Sequence, residues 1–130
     1  MEKIASYPLS AIAFVLFFLT LVIFHPIQWI CLNVFGYQAH KKSVDYLNFV
    51  LLRIGHLIGS TYRIEGRERI PNGAPIIFAS NHQSLYDIIL FIWFCRRWHP
   101  KFVSKIELAK GIPSVSYNLR HGGSVVIDRK

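Results

Sequence analysis

The N-terminal part of the chain lacks charge: from Ile4 to His40 there is no Asp, Glu, Lys or Arg. Acidic residues are scarce throughout, 7 against 15 Lys plus Arg, which leaves a net charge of +8 in 130 residues. That balance favours anionic partners such as lipid headgroups, phosphates or nucleic acid. Cysteine is nearly absent as well. Cys31 and Cys95 sit in apolar company without C-x-x-C spacing, which argues against a metal site or a disulfide framework and is compatible with a reducing cytosol. Internal repeats, low-complexity tracts and long linkers are missing too, and the length allows one domain at most.

What fills the uncharged stretch is hydrocarbon. Leu9 to Phe24 is almost wholly apolar, with Ala13-Phe14-Val15-Leu16-Phe17-Phe18-Leu19 at its centre, and roughly 18 or more such residues suffice to cross a bilayer. A cleaved signal peptide has an apolar core of about 7 to 15 residues followed by small residues. Bulky Phe24, Ile27, Trp29 and Ile30 follow here, so the segment reads as a retained anchor. His25-Pro26 predicts a kink or restart, because proline lacks the N–H of a helix interior. The short segment from Ile27 to Tyr37 then reads as an interfacial or re-entrant helix, with Trp29 and Tyr37 at headgroup depth. The expected anchor is therefore two helices within residues 1–40. Lys41, Lys42 and Arg53 follow it while only Lys3 precedes it, and the positive-inside bias places residues 41–130 on the cytoplasmic side of an inner or plasma membrane. With an anchor in place, lipid is the expected anionic partner. The remaining basic residues, Arg63, Arg67, Arg69, Arg96, Arg97 and Lys101, are interspersed with apolar ones and form no nucleic-acid-binding module.

Beyond the anchor the pattern predicts a helix over Ser43 to Ile58, capped by Ser43 and stopped by Gly59. Short β-type runs follow at Thr61 to Glu65, Ile76 to Ser80, Phe102 to Ser104 and Ser124 to Ile127. A helix over Ser84 to Trp98 separates two of them. Strand, helix, strand in that order predicts an α/β sheet with crossovers.

The apolar run Pro75-Ile76-Ile77-Phe78-Ala79 leads directly into Ser80-Asn81-His82, with Asp87 five residues beyond His82. In one continuous helix those two side chains would differ by about 140° around the axis and about 7.5 Å along it. They can meet only if the helix starts at Ser84, whose spacing to Asp87 is that of a capping box, and His82 folds back from the preceding loop. Such a pair supplies a general base, the carboxylate fixing the imidazole's tautomer. The same spacing also fits an Asp87 that only caps its helix, and on spacing alone that structural role is the commoner one.

The residues Asn81-His82-Gln83-Ser84-Leu85-Tyr86-Asp87 resemble the N-H-x-x-x-x-D signature of the 1-acylglycerol-3-phosphate acyltransferase family. A second block is similar to that family's next conserved region in order and spacing: Ser104-Lys105-Ile106-Glu107-Leu108, Gly111-Ile112-Pro113, then Gly122-Gly123-Ser124-Val125-Val126-Ile127-Asp128-Arg129. The resemblance implies transfer of a fatty acyl group from an acyl carrier protein or coenzyme A thioester to the free hydroxyl of lysophosphatidic acid. No metal or other cofactor is implied beyond the thioester co-substrate. In those terms His82 takes the proton from the acceptor hydroxyl, Asp87 orients His82, Arg129 and Lys105 bind the acceptor's phosphate, and Gly122-Gly123 admits the headgroup close to the backbone. The family's later E-G-T-R segment does not occur in these residues, so the sequence is expected to be the N-terminal portion of a longer enzyme. Alone it is expected to bind membranes without transferring acyl groups. Two rivals remain: a non-catalytic membrane-surface module, and a metal-dependent hydrolase that uses His82 and Asp87 as ligands, for which no third ligand is evident. The other histidines, His25, His40, His56, His99 and His121, are left without a role.

Overall fold

The computed structural model describes residues 2–128, with side chains from Tyr7 onward. Its first element, α1, is one helix over Glu2–Phe35 that runs through both Pro8 and Pro26. The restart expected at His25-Pro26 does not occur, and the separate re-entrant helix from Ile27 to Tyr37 is not formed. A neighbouring loop supports the proline-bearing turn: the Ser114 hydroxyl donates to the Leu21 carbonyl at 2.7 Å and the Ser114 N–H donates to His25 Nδ1 at 3.1 Å. Proline inside an apolar helix is tolerated when side chains from elsewhere meet the backbone it disturbs.

The break comes instead at Gly36, whose φ of 85° and ψ of −177° lie where only glycine rests comfortably. The chain then turns directly into α2, Tyr37–Leu57. This helix starts six residues ahead of the predicted Ser43 cap, and Ser43 lies inside it, its hydroxyl donating to the His40 carbonyl at 2.6 Å. Its end is as expected. Gly59, at φ 81°, sends its N–H to the His56 carbonyl while Ser60 N–H reaches the Gly55 carbonyl, the paired bonds of a Schellman stop.

One stripe of α1, Ala13, Leu21 and the fully buried Gln28, faces the rest of the molecule. Ala13 and Leu21 join Leu47, Leu51, Leu52 and Ile54 of α2 and Ile89 of a third helix in a single core. The opposite stripe of α1 is exposed and apolar, through Ile12, Val15, Leu19, Ile23, Ile30 and Val34. Tyr7–Phe35 is long and apolar enough to cross a membrane.

Helix α3 spans Leu85–Phe94, four residues shorter than predicted at its C-terminal end. It approaches α2 at Gly55, where an added Cβ would run into the Tyr62 hydroxyl and come within 3.0 Å of the Tyr86 ring. Tyr86 in turn faces Phe17 of α1, ring centroids 6.2 Å apart. The first turn of α3 is thereby fixed against both preceding helices.

Among the described residues two strands form, β1 over Val103–Lys105 and β2 over Val125–Ile127, paired in parallel with Lys105 opposite Ile127. The crossover between them carries a 3₁₀ turn at Ile106–Ala109 and a short helix α4 at Val115–His121, a helix that the sequence pattern did not predict. The α/β expectation thus holds in part, as a mostly helical chain with one parallel pair. The runs Thr61 to Glu65 and Ile76 to Ser80 are not strands. Among the described residues neither has a backbone ladder to join, and Ile77 is 95% exposed. A strand exists only as a pair.

Candidate active site

The segment ending at Gln83, which has no regular secondary structure, delivers His82 to the N-terminus of α3. Ser84 is the N-cap there, its hydroxyl accepting from Tyr86 N–H at 3.2 Å. Asp87 Oδ2 closes the other half of the capping box, accepting from Ser84 N–H at 2.8 Å and from Gln83 N–H at 2.7 Å. Folding the Gln83–Ser84 backbone onto that carboxylate swings His82 back over it, and His82 Nδ1 stands 3.5 Å from Asp87 Oδ2. The helix cap and the histidine partner are one and the same oxygen.

These contacts set the charge on Asp87. The Gln83 and Ser84 N–H groups, and after them the His82 ring, hold its carboxyl below the usual carboxylate range. Asp87 is therefore an anion at neutral pH and can only accept, which favours the imidazole tautomer with hydrogen on Nδ1 and leaves Nε2 free as a base. The His82 side chain is 57% exposed, open to a substrate.

Lys105 is exposed at the C-terminal end of β1, level with Ile127 of β2, so Asp128 leaves the sheet beside it. Arg129 lies outside the described residues. No hydrogen bond or ion pair among the described residues joins His82 to Lys105. Gly123 has φ 82°, and a Cβ there would meet Lys101 Cε and Nζ at 3.3 Å. The close approach that the glycine pair allows is to Lys101.

Lys101 belongs to a cluster that sequence reasoning missed. Its ammonium donates to the Gly122 carbonyl and to the Tyr37 hydroxyl, and stands 3.0 Å from His99 Nε2. The Tyr37 hydroxyl also donates to the Gly122 carbonyl at 3.0 Å. Burial first, then the Lys101 and Lys41 charges, push His99 down to about 4, so its ring is neutral and Nε2 accepts from Lys101. The first residue of α2 is thus tied to the turn that feeds β2. Nearby, His25, His40 and His121 surround the Tyr117 ring at centroid distances of 5.7, 5.7 and 4.5 Å. The Tyr117 to His121 interval of four residues is a same-face signal, legible only once α4 is known to be a helix. Among the described residues no three His, Cys, Asp or Glu side chains gather as a metal-ligand set.

A cavity of about 370 Å³ opens between the helices and the strand pair, within the range of roughly 300 to 1,000 Å³ usual for small-molecule sites. Its walls are mainly apolar, among them Phe17, Leu51, Ile89, Ile92 and Val115, and it extends to Leu85 and Ser104. Leu85 is three residues from His82, and Ser104 adjoins Lys105.

His82 and Asp87 stand together at the head of α3 and Lys105 at the end of a parallel strand, with the apolar cavity reaching a residue near each. The acyltransferase family model matches residues 61–130, more than half of the 130-residue chain, and the chain belongs to that family. No curated protein and no solved structure matches it.

Proposed function

We propose that this acyltransferase esterifies the free hydroxyl of lysophosphatidic acid with a fatty acyl group taken from an acyl carrier protein or coenzyme A thioester, a step of phospholipid biosynthesis. The observation that carries the reading is the His82–Asp87 pair, 3.5 Å apart at the capped start of α3 and inside the family-matched region.

In this reading His82 Nε2 removes the hydroxyl proton as the acceptor oxygen attacks the thioester carbonyl. Asp87 holds the Nδ1 proton and stabilises the imidazolium. The tetrahedral intermediate collapses with cleavage of the carbon–sulfur bond, the departing sulfur takes the proton from His82, and an ester and a free thiol result. Lys105 and Arg129 hold the acceptor's phosphate, a guanidinium by two parallel hydrogen bonds and an ammonium as a point charge. The apolar cavity that reaches Leu85 receives the acyl chain. No metal or prosthetic group enters this scheme.

Residues 1–40 serve as the membrane anchor and residues 41–130 as the acyltransferase part, on the cytoplasmic side. Support comes from the exposed apolar stripe of α1 and from Lys41, Lys42 and Arg53 beyond it. The competing reading is a lipid-surface module in which Asp87 only caps α3. Labelled acyl thioester and lysophosphatidic acid, incubated with membranes carrying the full-length wild-type enzyme or its His82→Ala variant, separate the two. Product from the wild type and its loss in the variant supports the enzyme. Equal product from both overturns the role given to His82.

A further inference from the structure

Among the described residues two other than glycine have a positive φ, Ser114 at 60° and His99 at 49°. Ser114 is buried at the centre of a tight turn, with the Val115 N–H donating back to the Pro113 carbonyl at 2.6 Å, a γ-turn of the rare, strained hand. Backbone of this kind persists only where its surroundings hold it. At both residues part of the holding comes from a histidine nitrogen that accepts a hydrogen bond. The Ser114 N–H donates to His25 Nδ1 at 3.1 Å, beside the bond from the Ser114 hydroxyl to the Leu21 carbonyl. The His99 ring meets the Lys101 ammonium through Nε2 at 3.0 Å, and an ammonium can only donate. Each bond needs a ring nitrogen without a proton.

The two bonds bear on the two ends of one helix. Ser114 is the N-cap of α4, and Gly122, whose carbonyl accepts from Lys101, is its C-cap. The groups around the two rings are for the most part uncharged or positive: Tyr37, His40 and Lys41 from α2, Tyr117 and His121 from α4, and Lys101 from the turn before β1. Asp45 of α2 also faces His99, but its carboxylate is bonded to Lys41 at 2.8 Å. A proton added to either ring therefore brings a charge that meets mainly like charge.

We propose that His25 and His99 are the two catches of a proton-operated latch on α4: neutral rings pin the helix against α1 and α2, and protonation of both releases it reversibly. A proton on His25 Nδ1 takes the lone pair that holds the Ser114 N–H. A proton on His99 Nε2 sets an imidazolium against the Lys101 ammonium. In each case a positive-φ residue loses a bond that opposes its strain, so the strain favours release. Helix α4 leads through Gly122 and Gly123 into β2, the partner of the strand that ends at Lys105. Resting on the acyl-transfer reading, the latch has one consequence for turnover: acid loosens the grip on the acceptor's phosphate.

Amide hydrogen exchange of the intact protein in detergent micelles, corrected for the intrinsic rate at each pH, reads the latch without any substrate. From about pH 7.5 to about pH 5, protection over residues 114–127 is expected to fall about 25-fold through His99 alone, because the opened chain takes up that proton below about 6.5 and the closed one only near 4. At the lower pH the slowest amides of α2 and α3 are expected to stay at least tenfold better protected than α4. Protection that is flat over this range, or lost equally in all three helices, would overturn the latch. His25→Asn and His99→Asn keep an acceptor but cannot titrate, and each is expected to reduce the fall at least threefold. A variant that leaves the fall unchanged strikes its residue from the latch, and two such variants end the proposal. Turnover by the full-length enzyme is measured alongside, with KM for lysophosphatidic acid expected to rise in acid more steeply in the wild type than in the variants. No product at any pH overturns the acyl-transfer reading and not the latch, whereas a KM that ignores pH while exchange responds overturns the link to the acceptor alone.

Discussion

Asp87 Oδ2 accepts two backbone N–H groups from the turn ahead of its helix and faces His82 Nδ1 at 3.5 Å. The cap bonds and the approach to His82 thus fall on one atom, and substitutions can separate capping from the catalytic role proposed for it. In the full-length enzyme His82→Ala is expected to lower acyl transfer by about 10² to 10⁴ with the circular dichroism and unfolding midpoint unchanged, since the ring is largely exposed. Asp87→Asn retains a side-chain carbonyl to cap with and should stay folded, yet it cannot stabilise an imidazolium, so its activity should also fall. An active Asp87→Asn variant would reduce Asp87 to a cap.

Acid should weaken the fold in two separate windows. His99 titrates near 4 in the folded chain against an ordinary value of 6.5. As pH falls from about 6.5 to about 4 the unfolded chain takes up this proton and the folded one does not, so stability is lost across that interval. Asp87, held below the usual range, contributes stability that is present above its ordinary value and is lost only as pH drops through its depressed one. Thermal unfolding from pH 7 to pH 4.5 should therefore report on His99 together with His40, which burial also holds below its ordinary value. The His99→Asn variant, which tolerates the positive φ of 49° at this position and can still accept from Lys101, should show a flatter profile. An unchanged slope would contradict a neutral His99 beside Lys101.

For the phosphate, Arg129→Ala and Lys105→Met should each raise KM for lysophosphatidic acid with kcat little altered, because loss of uniform binding acts on KM. KM for the thioester should stay within a factor of about two. Steady-state kinetics with each substrate varied in turn checks this. An equal loss toward both substrates would assign the two residues to the fold and not to the headgroup.

Gly36→Ala meets no atom within 4 Å, yet the backbone there has φ 85°. Strain alone is expected to cost about 1 to 3 kcal/mol, seen as a lower unfolding midpoint. A neutral substitution would mean that the elbow relaxes freely into another conformation.

The sequence carried the local chemistry further than the tertiary arrangement. Ser84, Asp87 and Gly59 act through neighbours a few residues away, so their spacing alone announced a cap and a stop, and left the approach of His82 to Asp87 as one of two readings. Proline at position 26 misled for the opposite reason: what supports its turn is Ser114, far along the chain. The true start of α2 was hidden because the Gly36 break lies among apolar residues that read as more anchor. The runs at Thr61 and Ile76 have the composition of strands, but pairing is a property of two segments, and composition describes one.

The direct turn from α1 into α2 at Gly36 also affects how the rate of such an enzyme should be measured. If α1 lies in a bilayer as proposed, with α2 packed along it, the proposed reactive face stays at the membrane surface and meets lipid by lateral encounter in two dimensions. Its effective substrate concentration is then the mole fraction of acceptor in the surface, not the amount per volume of buffer. Adding inert lipid at constant total acceptor should slow the reaction, although nothing in the solution has been diluted.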